Sequence, residues 1–195
     1  MAFEGMRAAE SAFIGAGHSE GQGISWSAHW SVHKLWKAAD ENHQAGDEEL
    51  IVRKGNLLLN GGGSVLWERF KTNKPSTSST GAALQAYSSG NAKIGVGNST
   101  AASAVTQTDL QGASKKYNAI ASGFPTHTDG TSSSGARQIK YQAIYTTAQA
   151  NFAWGEWGLF NSTGANKRML NRKAGSLGTK TSSAQWTFTV TLALN

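Results

Sequence analysis

The chain contains no cysteine, which excludes a disulfide framework, thiolate chemistry and cysteine-ligated zinc. Proline is nearly absent, at Pro75 and Pro125 only, so turns fall to the 23 glycines and their Ser/Thr neighbours. Charged residues make up 15% of the chain, against about a quarter in an average domain. With seven tryptophans, that low charge predicts a surface partly covered by partners. No stretch approaches the ~18 apolar residues of a membrane span, so no membrane is expected. The N-terminus lacks a basic segment followed by an apolar one, and export by signal peptide is not expected.

The charge that is present is unevenly placed. Through Arg69 there are six basic and nine acidic residues, net −3. From Phe70 onward there are twelve basic residues and only Asp109, Asp129 and Glu156 as acids, net +9. Such polarity suits contact with nucleic acid or a membrane, and equally subunits packing acidic end to basic face.

What is abundant is two-residue alternation. In the last ten residues Trp186, Phe188, Val190, Leu192 and Leu194 fall on one face. Thr187, Thr189, Thr191 and Ala193 fall on the other. Successive strand side chains point to opposite sides, so this is a half-buried strand. Ile24 to Val32 repeats the pattern with Trp26, Ala28 and Trp30. Further strands are predicted around Leu50 to Val52, Ala92 to Val96, Arg137 to Tyr145, Phe152 to Phe160 and Met169 to Ser176. Gly95 and Gly97 alternate with Ile94 and Val96, which predicts a close approach on the glycine face. Asn56 to Phe70 reads as a helix, weakened by Gly61, Gly62 and Gly63, and a short helix is predicted around Thr108 to Ile120. Lys74 to Gly81 and Thr126 to Gly135 read as Ser/Thr/Gly loops.

These elements predict an all-β protein: an antiparallel β-sandwich, jelly-roll-like, over residues 24–195, with one or two short helices. Residues 1–23 are small, polar and glycine-rich, and read as an extended N-terminal arm. Phe13 and Ile14 are its candidate contacts to a neighbouring subunit.

Several motifs invite an enzymatic reading. Gly17-His18-Ser19-Glu20-Gly21 matches the nucleophile elbow of α/β-hydrolases, but that turn needs a strand before it and a helix after it. Here period-two alternation follows. His29 and His33 have the helical spacing of zinc ligands, yet on a strand they lie on one face about 13 Å apart. Gly175 to Thr181 fails as a phosphate loop because Thr179 separates glycine from lysine. No two carboxylates are placed for acid–base work. The sequence therefore predicts neither an enzyme nor a cofactor or metal.

Lys167, Arg168, Arg172, Lys173 and Lys180 form the densest basic cluster. Nucleic-acid binding would require interleaved aromatics or a groove-filling helix. A solvated or subunit-facing basic edge is the expectation, with Arg168, Arg172 and Lys173 as candidate partner contacts. Phe152 to Phe160 carries large side chains on both faces, which predicts a strand buried twice, in the core and against a neighbour. Trp154 and Trp157 are its candidate contacts, to a partner or to a sugar ring.

Five segments also carry a family resemblance. Asn91 to Asn98, Thr106 to Leu110, Ala150 to Gly158, Met169 to Lys173 and Gly178 to Lys180 resemble, in order, structural proteins of tailed bacteriophages. The layout of a strand ending G-x-G, then Gln107-Thr108-Asp109-Leu110, then Glu156-Trp157-Gly158-Leu159-Phe160 is similar to tail-collar fibre and minor tail protein domains. Gly55 to Asn60, with Trp67 following, fits the same group. The resemblance spans Trp26 to Leu194. The chain departs from the group at Gly61 to Gly63, where a helix-compatible residue such as glutamate is expected, and in its long arm. The resemblance implies a virion building block with no catalytic residues to carry over. Its site would be tail, neck or collar, or capsid surface, and its partners copies of itself and other virion proteins. A receptor- or carbohydrate-binding fibre module, with a host receptor as partner, is the alternative.

Overall fold

The computed structural model describes residues 26–72, 83–128 and 137–194. The arm, with Phe13, Ile14 and the Gly17 to Gly21 motif, lies outside the described residues, as does the loop from Lys74 to Gly81.

The described chain is an all-β antiparallel sandwich. Its elements are β1 (Trp26–Trp36), β2 (Glu48–Lys54), β3 (Leu57–Leu58), α1 (Asn60–Thr72), β4 (Lys93–Gly97) and β5 (Lys115–Ala119). There follow β6 (Thr126–His127), β7 (Gln138–Tyr145), β8 (Ala153–Phe160), β9 (Met169–Thr179) and β10 (Ala184–Leu194). Sheet 1 has the order β2-β1-β10-β7-β6 and sheet 2 the order β3-β9-β8-β4-β5. The nested pairs β1–β10, β3–β9 and β4–β8 give the jelly-roll-like part of the topology. The hairpins β1–β2, β4–β5, β6–β7 and β8–β9 each stay within one sheet.

β1 and β10 pair along their whole lengths, Trp26 opposite Leu194 and Trp36 opposite Ala184. Their apolar faces meet sheet 2 through aromatics. Trp30 sits edge-on to Trp157 at 5.8 Å, and Trp157 lies 5.0 Å from Phe188. Trp154 meets Tyr145 and Trp186, each at 4.7 Å. Fully burying each such side chain contributes roughly 1.5–3 kcal/mol before entropy is subtracted. Two buried tyrosines donate from β7: Tyr145 ties the layers through Ile94 O of β4 at 2.6 Å, and Tyr141 holds the connection before β4 through Tyr87 O at 3.0 Å.

Two expected helices are corrected. Residues 57–58 form a strand paired with β9, so the helix begins only at Asn60. Residues 115–119 form β5 on the edge of sheet 2 because Tyr117 packs on Phe160. The glycines of α1 have a packing explanation at Gly62. A Cβ there would overlap Leu170 Cα and lie 2.8 Å from Leu170 O, so only glycine lets the helix rest on the β9 backbone. Glutamate would not fit.

Candidate functional site

The most organised polar feature lies on the outer face of sheet 2. Here β4 and β8 present glycines: Gly95 opposite Gly158, and Gly97 opposite Glu156. A Cβ on Gly95 would come within 2.8 Å of both Phe160 and Tyr117, and one on Gly97 within 2.5 Å of Glu156 Oε1. The predicted close approach on the glycine face is therefore present. Into this space fold Glu156, the Phe160 and Tyr117 rings, and the connection formed by residues 98–114.

Glu156 and Arg172 are both fully buried. Arg172 Nε donates to Glu156 Oε2 at 2.7 Å. Glu156 also accepts from the backbone of the covering loop, from Gln111 N at 2.9 Å and Gly112 N at 2.6 Å. Arg172 Nη1 donates to Ala102 O at 3.1 Å and Gln107 Oε1 at 3.0 Å. Each ion of the pair thus holds one part of the same loop. A buried charge needs a partner and further hydrogen bonds to offset its lost hydration, and both ions find them in the loop backbone.

Asp109 repeats the device at the rim. It accepts from Tyr117 Oη at 2.5 Å and Lys167 Nζ at 2.6 Å, with Lys115 Nζ at 3.6 Å. Burial alone raises this carboxyl, and the bonds from Lys167, Tyr117 and Leu110 N–H more than offset that, so it stays below the usual carboxylate range. Beneath lies a small apolar cluster of Leu59, Leu110, Phe160 and Met169. The loop is pinned by charge and stapled by apolar contact. This arrangement suits a rigid scaffold.

Apolar groups stand outside in two places. On α1, Trp67 is 71% and Phe70 75% exposed, in an edge-to-face pair at 6.0 Å. Beside Trp67 runs an open groove of ≈ 380 Å³, lined also by Leu58, Asn60, Ser64 and Glu68. On the border strand β2, Leu50 is 63% and Val52 56% exposed. Among the described residues no helix is long and apolar enough to cross a membrane.

The predicted contact residues fall elsewhere than expected. Trp154 and Trp157 are buried in the central core and offer no face to a partner or a sugar. The basic cluster is not a single edge. Arg172 is the buried partner of Glu156, and Lys180 is buried with its ammonium donating to Asn151 Oδ1 at 2.9 Å. Arg168 is half-buried and donates to Lys167 O at 2.9 Å. Lys173 is half-buried opposite Trp157. β8 is buried on both faces as expected, but the second cover is the chain's own loop 98–114, where a neighbour was expected. His29 and His33 share the outer face of sheet 1, with His33 Nε2 3.1 Å from Glu48. Trp67 and Phe70 are the most exposed aromatics among the described residues. Phe70 was missed as a contact because helical periodicity placed it with the core, and Trp67 because it enters only through the family resemblance.

No family model, curated protein or solved structure matches the chain.

Proposed function

We propose that the protein is a non-enzymatic structural subunit of a tailed-phage particle, in its tail, neck or collar, or on its capsid. It assembles with copies of itself and anchors neighbouring virion proteins. The observation that carries this reading is the division of the molecule's chemistry. Buried charges hold the chain's own loop, while Trp67, Phe70, Leu50 and Val52 stand in solvent on separate surfaces. Exposed aromatics and aliphatics rimmed by polar groups suit protein–protein contact. The ordered segments resembling phage proteins support the virion assignment: Asp109, Leu110 and Glu156, which belong to them, all serve the pinned loop. Mass spectrometry of purified particles should find the chain in fixed stoichiometry with the other virion proteins. Its absence from particles would rule the reading out.

A receptor- or carbohydrate-binding fibre module is the second reading, favoured by the groove beside Trp67. An exposed indole flanked by Asn60, Ser64 and Glu68 offers an apolar face with polar groups around it, which suits a sugar ring. Glycan-array binding lost in Trp67→Ala would promote this reading over the first.

A further inference from the structure

β2 is the border of sheet 1, paired with β1 on one side only among the described residues. Gly55 N donates to Ala28 O at 2.8 Å. In the antiparallel register this makes Arg53, Ile51 and Glu49 the residues whose backbone groups face β1. The N–H and C=O groups of Glu48, Leu50, Val52 and Lys54 therefore point to the open side. Arg53 Nη1 donating to Val52 O at 2.9 Å agrees with that assignment.

The sequence of this border is Glu48-Glu49-Leu50-Ile51-Val52-Arg53-Lys54, with acids at one end, bases at the other and three aliphatics between. Turned end for end about Ile51, it is its own complement. Glu48 then faces Lys54 of the second copy, Glu49 faces Arg53, and Leu50 faces Val52. The open backbone groups match as well. The Glu48–Lys54 and Leu50–Val52 pairs become hydrogen-bonded pairs, and Ile51 meets its own copy as a non-hydrogen-bonded pair. Opposite charges directly across a strand pair attract, and like charges repel. Edges are commonly protected by lysines, proline or bulges, and a run of one sign would make copies repel. Segregated signs do the reverse.

We infer that β2 pairs antiparallel with β2 of a second copy across a two-fold axis at Ile51, joining the two copies of sheet 1 into one continuous sheet. The inference deepens the assembly reading above, and rests on it, by naming the partner as the same chain and the surface as β2. Arg53 leaves Val52 O when the strands meet.

Sedimentation velocity on the full chain at low salt tests this. Glu48→Lys alone sets lysine against lysine, and Lys54→Glu alone sets glutamate against glutamate. Each should weaken self-association roughly tenfold. Mixed in equal amounts, the two variants regain opposite charges at both ends and should associate as the parent does. Val52→Pro removes an open-side N–H without touching a bond to β1, and should lose the dimer while melting near the parent's temperature. A parent that stays monomeric at all concentrations overturns the pairing and the homo-oligomeric reading together. Association that ignores the charge changes, or a mixture no better than its components, overturns the pairing alone.

Discussion

Arg172 Nε lies 2.7 Å from Glu156 Oε2 where neither side chain reaches solvent, and both ions also bind the loop that covers them. The pair therefore couples sheet 2 to residues 98–114. Removing one ion leaves the other buried and uncompensated.

Arg172→Met should accordingly cost about 3–5 kcal/mol in urea denaturation. The double variant Glu156→Gln with Arg172→Met should cost less than the two single changes added together, because they act on one interaction. Amides in residues 98–114 should exchange faster in either single variant, with β1 and β10 unaffected. Additive costs would mean that the loop is held by its apolar contacts.

The glycines of α1 give a paired prediction. Helix propensity alone says that glycine to alanine stabilises by up to about 1 kcal/mol. Gly63 has open space where a Cβ would stand, so Gly63→Ala should follow propensity. At Gly62 the same methyl would overlap Leu170 backbone, and overpacking against backbone costs about 1–3 kcal/mol. Gly62→Ala should destabilise despite its better propensity. Thermal melts of the two variants, shifted in opposite directions, check this.

Where one face of an element is buried, its period survives in the sequence, and β1, β7 and β10 were legible for that reason. The glycine face of β4 was legible too, since alternating glycines leave a visible gap in the pattern. Elements placed by tertiary contact left no such mark. β5 is a strand because Tyr117 packs on Phe160, a partner more than forty residues away. Arg172 and Lys180 looked like surface bases because composition does not reveal that Glu156 and Asn151 wait for them. Trp154 and Trp157 misled in the same way, as expected contacts that prove buried, whereas Trp30 and Trp186 were legible from alternation as the buried face of their strands.

Stability should pass through a maximum at alkaline pH. Burial lowers the Lys180 ammonium to about 8 from 10.5. Between those values the unfolded chain holds a proton that the folded chain has released, so stability rises with pH across that window. Burial also holds the phenols of Tyr87, Tyr117, Tyr141 and Tyr145 above their ordinary 10. Above about pH 10 the unfolded chain ionises first and stability falls. Melting temperature should peak near pH 9–10, roughly where the two effects cross. In Lys180→Met the rising limb should vanish and the alkaline fall remain.

Trp67→Ser with Phe70→Ser should change the unfolding free energy by no more than about 0.5 kcal/mol in urea denaturation, since both rings already stand in solvent. If α1 is a docking surface, the same double variant should fail to incorporate into particles. Normal incorporation would remove α1 from the assembly surfaces and leave β2.

A cryo-electron microscopy map of the parent particle tests the central claim most directly. The account predicts symmetry-related copies of this sandwich, with Trp67 and Phe70 covered by a neighbouring protein. A particle in which no density accommodates the chain would contradict it.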